Sequence, residues 1–230
     1  MKLKFVIFLL FITFTLFAQQ QYNAEKDFEF RIIDDGKAIE VTKYVGKNKE
    51  VRIPPQIKNL PVTVIGEKAF MGGELVFLND GYGSYKFIPG NKQLTSVVIP
   101  NSITYIADWA FAGNQLSSIT IPDSVSHIGN GVFSDNQLTS VVIPNSVKTI
   151  GECAFTTNQL TSVVIPNSIK NIRKGAFGEN QLTSVVIPNS VETIEDFAFL
   201  DNQLTSVVIP NSVKTIGRFV FNKNVKIIRE

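Results

Sequence analysis

Apolar residues return in the same order every 22 residues along most of the chain. The phrase NQLTSVVIPNS occurs four times without change, and KQLTSVVIPNS and NQLSSITIPDS are close copies of it. A leucine, a proline and a phenylalanine each recur at this spacing of 22 residues. The leucines are Leu94, Leu116, Leu138, Leu160, Leu182 and Leu204. A fixed period of this length is typical of stacked repeats.

Within one unit, LTSVVIPNSITYIADWAFAGNQ, the segment SVVI predicts a β-strand because β-branched residues favour strands. In the loosest copy Thr120 stands at the place of Val98, whereas the flanking positions stay apolar. Alternation therefore turns Val97 and Ile99 inward and leaves Val98 outside. Pro100 ends the strand, since proline cannot donate to a strand ladder.

The second half of the unit predicts a return to the core by way of short turns. Ile103 and Ile106 point inward, and DWAF predicts one helical or 3₁₀ turn with Ala110 and Phe111 inside. One unit buries too few apolar side chains to offset the entropy of ordering 22 residues. We therefore expect the units to stack, with their strands paired in parallel around a continuous core.

The pattern LxxVxIPxxVxxIgxxAFxxNQ resembles the bacterial BspA-like, or Treponema-type, leucine-rich repeats in its post-strand proline and its AF pair. The segment Leu60–Phe70 fits the first repeat of that family, and the resemblance runs from about Val51 to Phe221. It implies an α/β repeat solenoid with a parallel sheet on one face and short 3₁₀ or helical turns on the other. It also implies adhesion to host matrix proteins, host cells or other bacteria.

The ends of the chain depart from the repeat. Alternating segments at Phe28–Ile33 and Ala38–Tyr44 flank DDGK, which predicts a β-hairpin that caps the stack. The charged VKIIRE segment predicts a cap at the other end. We expect a signal peptide at 1–18 and a hairpin cap at 19–50. A divergent first repeat follows at 51–93, with an insertion at 71–93. Six repeats at 94–221 and a final cap at 222–230 complete the chain.

The period breaks once. Phe111 and Leu116 are five residues apart, but Phe70 and Leu94 are 24 apart, so 19 extra residues separate the first two repeats. A long insertion in a regular array is expected to loop out, and such loops often carry function. A packed surface loop without a partner is the alternative. Its aromatic residues Tyr82, Tyr85 and Phe87 are candidate binding residues.

The first 18 residues predict a secretory signal peptide cleaved near Ala18, with an uncleaved membrane anchor as the alternative. Their apolar run of about 14 residues is shorter than a membrane-spanning helix requires. Without Lys2 and Lys4, 20 basic residues remain of the 22 and balance 20 acidic ones. This balance argues against nucleic acid as a partner, and no later segment of the mature chain predicts a membrane span.

Residues with catalytic potential are few. His127 is the only histidine and Cys153 the only cysteine, so the usual soft-metal sites are excluded and no internal disulfide can form. Both fall in columns of variable residues, His127 at the surface and Cys153 half-buried. Asp135, Glu179 and Asp201 share a column on turn tips, where solvent exposure is expected. We therefore expect no enzyme, no metal and no cofactor.

The outward positions of the repeated strand form one column. A flat, uncharged, partly apolar stripe of this kind favours protein binding, although it also stabilises strand pairing. The column consists of Val98, Thr120, Val142, Val164, Val186 and Val208. A secreted or cell-surface interaction protein is the first hypothesis, and a structural or self-assembling envelope protein is the alternative. Glycan binding through Tyr82, Tyr85 and Trp109 has no feature that selects it.

Overall fold

The computed structural model describes residues 21–78, 85–91 and 93–230, so the expected signal peptide lies outside the described residues. Over these residues the chain winds into a β-solenoid made of short strands and turns. Its helices are two 3₁₀ segments ahead of the first coil, Glu25–Asp27 and Asp34–Gly36.

The strands are short, and two sets of them run in parallel along the stack. Those before the first regular repeat are β1 (Phe28–Ile33), β2 (Ala38–Tyr44), β3 (Glu50–Arg52), β4 (Gln56–Ile57), β5 (Leu60–Ile65), β6 (Gly73–Phe77) and β7 (Tyr85–Pro89). The repeats supply β8 (Ser96–Val98), β9 (Tyr105–Ile106), β10 (His127–Ile128), β11 (Thr149–Ile150), β12 (Asn171–Ile172), β13 (Thr193–Ile194), β14 (Ser206–Ile209), β15 (Thr215–Ile216) and β16 (Lys226–Arg229).

The first parallel set contains the repeated SVVI segment, as the alternation predicted. β3 pairs with β8 at one end of the stack, and β14 pairs with β16 at the other. In the middle coils single parallel bridges join Thr120 to Val142, Val142 to Val164 and Val164 to Val186. The outward residues of successive coils are therefore in register.

A second parallel set was not predicted from the sequence. It joins β5, β9, β10 and β11 along one stretch and β12, β13 and β15 along the next. Each repeat contributes two residues to it, and the isoleucine of each pair faces the core, as Ile106 and Ile128 do with no exposed surface. These isoleucines were correctly predicted to be buried, but as turn residues instead of strand residues.

At DWAF the described repeats have isolated i→i−3 hydrogen-bonded turns and no helical or 3₁₀ segment, so the helical face of the predicted α/β architecture is not confirmed. Trp109 has a φ of +60°, which lies in the left-handed region and interrupts any helix. The Trp109 and Phe111 N–H groups donate to Asn130 and Val132 of the next coil, at 2.7 and 3.0 Å. Because these donors are used between coils, the segment cannot form i→i+4 hydrogen bonds.

The core beneath these turns is a stack of phenylalanine rings. Phe111 and Phe133 lie 5.6 Å apart with an interplanar angle of 2°, and the next pair, Phe133 and Phe155, lies at 5.4 Å. The stack continues towards both ends of the solenoid through Phe70, Phe177, Phe199 and Phe221. It gives the solenoid a continuous apolar centre that no single coil could form.

A buried asparagine ladder runs beside the phenylalanine stack. The Nδ2 group of Asn158 donates to the carbonyls of Phe133, Phe155 and Thr156, at 2.9 to 3.2 Å. Its Oδ1 accepts from the Leu138 N–H at 3.0 Å. One amide side chain thus satisfies four backbone groups of two adjacent coils, which explains why the asparagine of NQ is copied without change. The same role is filled by Asn114, Asn136, Asn180 and Asn202.

The N-terminal strands form the antiparallel hairpin expected at DDGK, with β1 and β2 spanning the expected residues. β2 then pairs in parallel with β5, and the Tyr44 ring stacks on Phe70 at 5.7 Å, which extends the aromatic stack. At the other end β16 pairs with β14 on one side only, and its four residues are exposed.

The insertion does not simply loop out. β6 and β7 pair as an antiparallel hairpin, which we call the insertion hairpin, and it packs back on the turns of the coils. Phe77 and Tyr85 both contact the Trp109 ring edge-on, at 6.2 and 4.9 Å between centroids. The Phe87 ring lies against Gly113, which has a φ of +69° and no room for a Cβ. The insertion therefore belongs to the packed structure.

Candidate partner-binding surfaces

The first candidate surface is the outward column of the repeated strand, which we call the valine stripe. Its most exposed members are Val142, Val164 and Val186, with 80%, 77% and 77% of their surface accessible. Val141 and Val163, their neighbours along the chain, are 7% and 6% exposed. Exposed and buried side chains thus alternate along the strand, as its period of two requires.

The stripe is uneven along its length. Val98 at one end is half-buried beside Arg52 of β3, which lies in register with it. Thr120 is exposed, and Val208 is 39% exposed and pairs with Ile228. The apolar part therefore centres on Val142, Val164 and Val186.

The aromatic candidates of the insertion are not part of the stripe. Tyr85 and Phe87 lie on β7 and pack on the turns of the coils, whereas Tyr82 lies outside the described residues. Because the Tyr85 and Trp109 rings meet edge to face, their contact covers part of a ring face that a sugar would need. The structure thus separates the residues that the sequence grouped as one candidate site.

The second candidate surface is a hollow of about 820 Å³ between the insertion hairpin and the turns of the later coils. Its origin is a column of turn residues that share a positive φ but differ in size. These residues are Trp109, Gly131, Cys153, Gly175, Phe197 and Phe219. The small side chains Cys153 and Gly175 leave the floor open, while Tyr85 and Phe87 form one end and Phe197 and Phe219 the other.

Phe197 and Phe219 stack at 5.9 Å, and the Lys174 amine lies 5.9 Å from the centre of the Phe197 ring. Asp135, Glu179 and Asp201 line the same hollow. Thr157 lies between Asp135 and Glu179 in the same column, and its hydroxyl donates to Glu179 Oε2 at 3.2 Å. The hollow therefore combines aromatic ends with a rim of carboxylates, and its combination of apolar walls and a few polar groups is typical of ligand sites.

Asp135 does not face solvent as the sequence suggested. It is half-buried, and its Oδ2, the Tyr85 hydroxyl and the Ser134 hydroxyl are all buried without a hydrogen bond of ordinary geometry among the described residues. Burial, and then the charge of Glu179, raise the pKa of Asp135 to about 6. Burial is also the main cause that raises the pKa of Tyr85. The carboxyl of Asp135 therefore lacks sufficient compensation for its charge.

The two residues with nucleophilic or acid–base potential are placed as structural residues. Cys153 is half-buried on the floor of the hollow, and burial raises the pKa of its thiol to about 11, which opposes thiolate chemistry. The His127 ring stacks on Tyr105 at 4.3 Å, and burial lowers the pKa of His127. Within the described residues no group of three or more His, Cys, Asp or Glu side chains could hold a metal ion.

A family model described as BspA type Leucine rich repeat region matches the chain in six copies, over residues 83–202 and 170–229. The crystal structure of a leucine rich repeat protein of T. pallidum, TpLRR, is similar to this chain. It has 26% sequence identity, covers 86% of each chain and has a TM-score of 0.65. No curated protein matches the sequence.

More distant structures share the fold. A leucine rich cell surface protein from Faecalibacterium prausnitzii A2-165 is 23% identical over 93% of this chain and 56% of its own, with a TM-score of 0.62. The pneumococcal vaccine antigen PcpA is 21% identical over 90% of this chain and 48% of its own, with a TM-score of 0.53. In the part of the chain that the structure describes, no helix has the length and apolar character needed to cross a bilayer.

Proposed function

Because the chain belongs to the BspA-type leucine-rich repeat family, we propose that it binds other proteins through the valine stripe. The observation that carries the proposal is the exposure of Val142, Val164 and Val186, at 77% or more. Exposed valines of this kind add little to the core, since burial is the source of apolar stabilisation. Extended faces of stacked repeats are common binding surfaces.

The geometry of the stripe supports a flat partner surface. Six rungs spaced by about 4.8 Å give a row about 24 Å long. The strand positions beside the valines are Ser140, Ser162 and Ser184, which are exposed and uncharged. An apolar row with neutral polar edges favours contact with the surface of a folded protein over contact with a polyanion.

We propose further that the protein acts outside the cytoplasm, as a secreted or cell-surface adhesin for host matrix proteins, host cells or other bacteria. The N-terminal sequence supports export, with Lys2 and Lys4 ahead of a short apolar run that ends near Ala18. In this proposal the residues 19–50 act as a cap that protects the first coil.

A second function, self-association in the envelope, is favoured by the open strand β16. Ile227 and Ile228 on this edge strand are 50% and 40% exposed, and Ile228 extends the valine stripe. An exposed edge strand with apolar side chains is a template for pairing with another chain. Sedimentation of residues 19–230 tests it: a monomer at every concentration argues against self-association.

The main proposal is tested by placing two charges in the stripe, in the variant Val164→Lys/Val186→Lys. We expect binding to matrix proteins and bacterial surface extracts in a pull-down to be lost, because each lysine must be desolvated in the interface. The far-UV circular dichroism spectrum should not change, since both positions are exposed.

A matched control places the same two charges on the second set of strands, as Asn171→Lys/Thr215→Lys, at exposed positions of β12 and β15. This variant should bind as the wild type does. Unchanged binding by the stripe variant, or equal loss in the control, would reject the valine stripe as the binding surface.

A further inference from the structure

The hollow beside the insertion hairpin has a shape that follows from one column of the repeat. Stacked coils usually present the same side chain at every rung, but this column changes from Trp109 to three small residues, Gly131, Cys153 and Gly175, and then to phenylalanine. The described residues of the insertion hairpin contact Trp109 at the large end of the column, and Tyr85 and Phe87 line the hollow together with Cys153 and Gly175. The hollow is therefore a specific feature of these coils, unlike the repeating valine stripe.

The walls of the hollow suit a ligand with an apolar body. Tyr85 and Phe87 face it from the hairpin, and Phe197 and Phe219 face it from the later coils. Aromatic rings on both sides can cover an aliphatic chain and can also attract a cation through their faces. The volume of about 820 Å³ is within the range of known ligand sites.

The charges of the hollow favour a positive group at the end nearest the insertion hairpin. The lining holds three carboxylates, Asp135, Glu179 and Asp201, and two amines, Lys86 and Lys174. The Lys174 amine lies over Phe197 at the opposite end. Asp135 lies beside Tyr85 of the hairpin, and Glu179, two coils further along the stack, repels its charge. The Ser134 and Tyr85 hydroxyls oppose the resulting rise in the pKa of Asp135. An additional cation would relieve this repulsion.

We propose that the hollow binds an arginine or lysine side chain of a protein partner. The aliphatic part of that side chain lies between the aromatic walls, and its cationic group lies against the Asp135 and Glu179 carboxylates. This proposal depends on the proposed protein-binding function in one respect only, namely that the arginine or lysine belongs to a protein partner. The hollow is lined by hairpin and turn residues, whereas the valine stripe is formed by strand residues, so each site can be tested without the other.

The test uses three blocked tripeptides, Ac-Phe-Arg-Phe-NH₂ and the same peptide with citrulline or glutamate in place of arginine. Citrulline keeps the shape of arginine and removes its charge, so it isolates the contribution of the cation. Binding to residues 19–230 is measured by calorimetry and by the fluorescence of Trp109, the single tryptophan of the chain. We expect the arginine peptide to bind about tenfold more tightly than the citrulline peptide, and the glutamate peptide not to bind.

Two variants locate the binding site. Asp135→Asn/Glu179→Gln keeps the shape of both side chains and should weaken the arginine peptide about tenfold while leaving the citrulline peptide unchanged. Cys153→Phe should abolish binding of both peptides by filling the floor. Phenylalanine is compatible with this backbone, because Phe197 and Phe219 occupy the same column at φ of +63° and +53°, against +54° at Cys153.

Val164→Lys/Val186→Lys serves as the control and should leave the peptide affinities as they are. The peptide result therefore does not depend on whether the valine stripe binds proteins. The stripe result likewise does not depend on whether the hollow binds the peptide. Equal affinity for the arginine and citrulline peptides would overturn the proposal, as would the absence of arginine-peptide binding at millimolar concentration. Full affinity in the carboxylate variant would overturn it even if Cys153→Phe failed to fold.

Discussion

The strand side and the turn side of each coil are built from the same repeat but present different surfaces. On the strand side Val142, Val164 and Val186 are equivalent, and each occupies almost the same environment. On the turn side the residues equivalent to Trp109 range from glycine to tryptophan, and the insertion hairpin adds a second layer. Exact repetition thus produces a uniform extended surface, and departures from repetition produce an individual site.

The two sides also differ in how they relate to the core. Behind the turns lies the phenylalanine stack, whose rings have almost no exposed surface. The outward valines have no such layer over them. We therefore expect stability to depend on the inward residues of each coil and binding to depend on the outward ones.

The largest expected effect comes from removing one ring of the stack. Phe155→Ala should lower the free energy of unfolding by about 3–5 kcal/mol, because a fully buried ring is lost and a cavity remains between Phe133 and Phe177. Val164→Ala in the stripe should change it by less than about 0.5 kcal/mol. Urea denaturation of the two variants measures both values. Similar losses in the two variants would contradict the division into stabilising and binding residues.

A smaller effect is expected where the insertion hairpin meets the coils. A methyl group in Gly113→Ala would overlap the Phe87 ring and would strain a residue at φ +69°. We expect the hairpin to separate from Trp109 at a cost of about 1–3 kcal/mol, with a red shift of the Trp109 fluorescence.

The double variant Gly113→Ala/Phe87→Ala is the control for this contact. Without the Phe87 ring, the alanine methyl has no ring to displace, so the two substitutions should be strongly non-additive in a double-mutant cycle. Additive effects would show that the strain at Gly113 does not act through Phe87.

The smallest expected effect is a pH dependence of the hairpin contact. The pKa of Asp135 is raised to about 6, first by burial and then by Glu179, so the packed hairpin favours the neutral carboxyl. Contact stability should be greatest at low pH and should fall as the pH rises from about 4 through about 6. The groups facing Asp135 are Tyr85, Ser134 and Glu179. Trp109 fluorescence should follow this change, and Asp135→Asn should remove it.

The sequence predicted the stack, the strand in SVVI and its inward and outward residues, because every copy had to solve the same packing problem. The hairpin strands Phe28–Ile33 and Ala38–Tyr44 were also predictable, since alternation and the Asp-Gly turn agree there. These features depend on local pattern and on repetition. Both are visible in a single chain.

Other features could not be predicted without knowing the contacts to the neighbouring coil. The DWAF segment satisfies the helical pattern locally, but its Trp109 and Phe111 N–H groups bond to the next coil, so tertiary hydrogen bonds override local propensity. The buried asparagine ladder had a usable signal, because Asn136, Asn158, Asn180 and Asn202 are repeated without change. Its role was missed because asparagine is also a common turn residue.

The period of 22 residues by itself determined that the units stack, which residues form their core and which valines face outward, because identical coils impose identical packing on every copy. Only the tertiary structure decided where the insertion hairpin lies and that it leaves a hollow above Cys153 and Gly175. The physical reason is that this contact joins residues from different coils whose sizes do not repeat. No periodic pattern in the chain encodes such a contact.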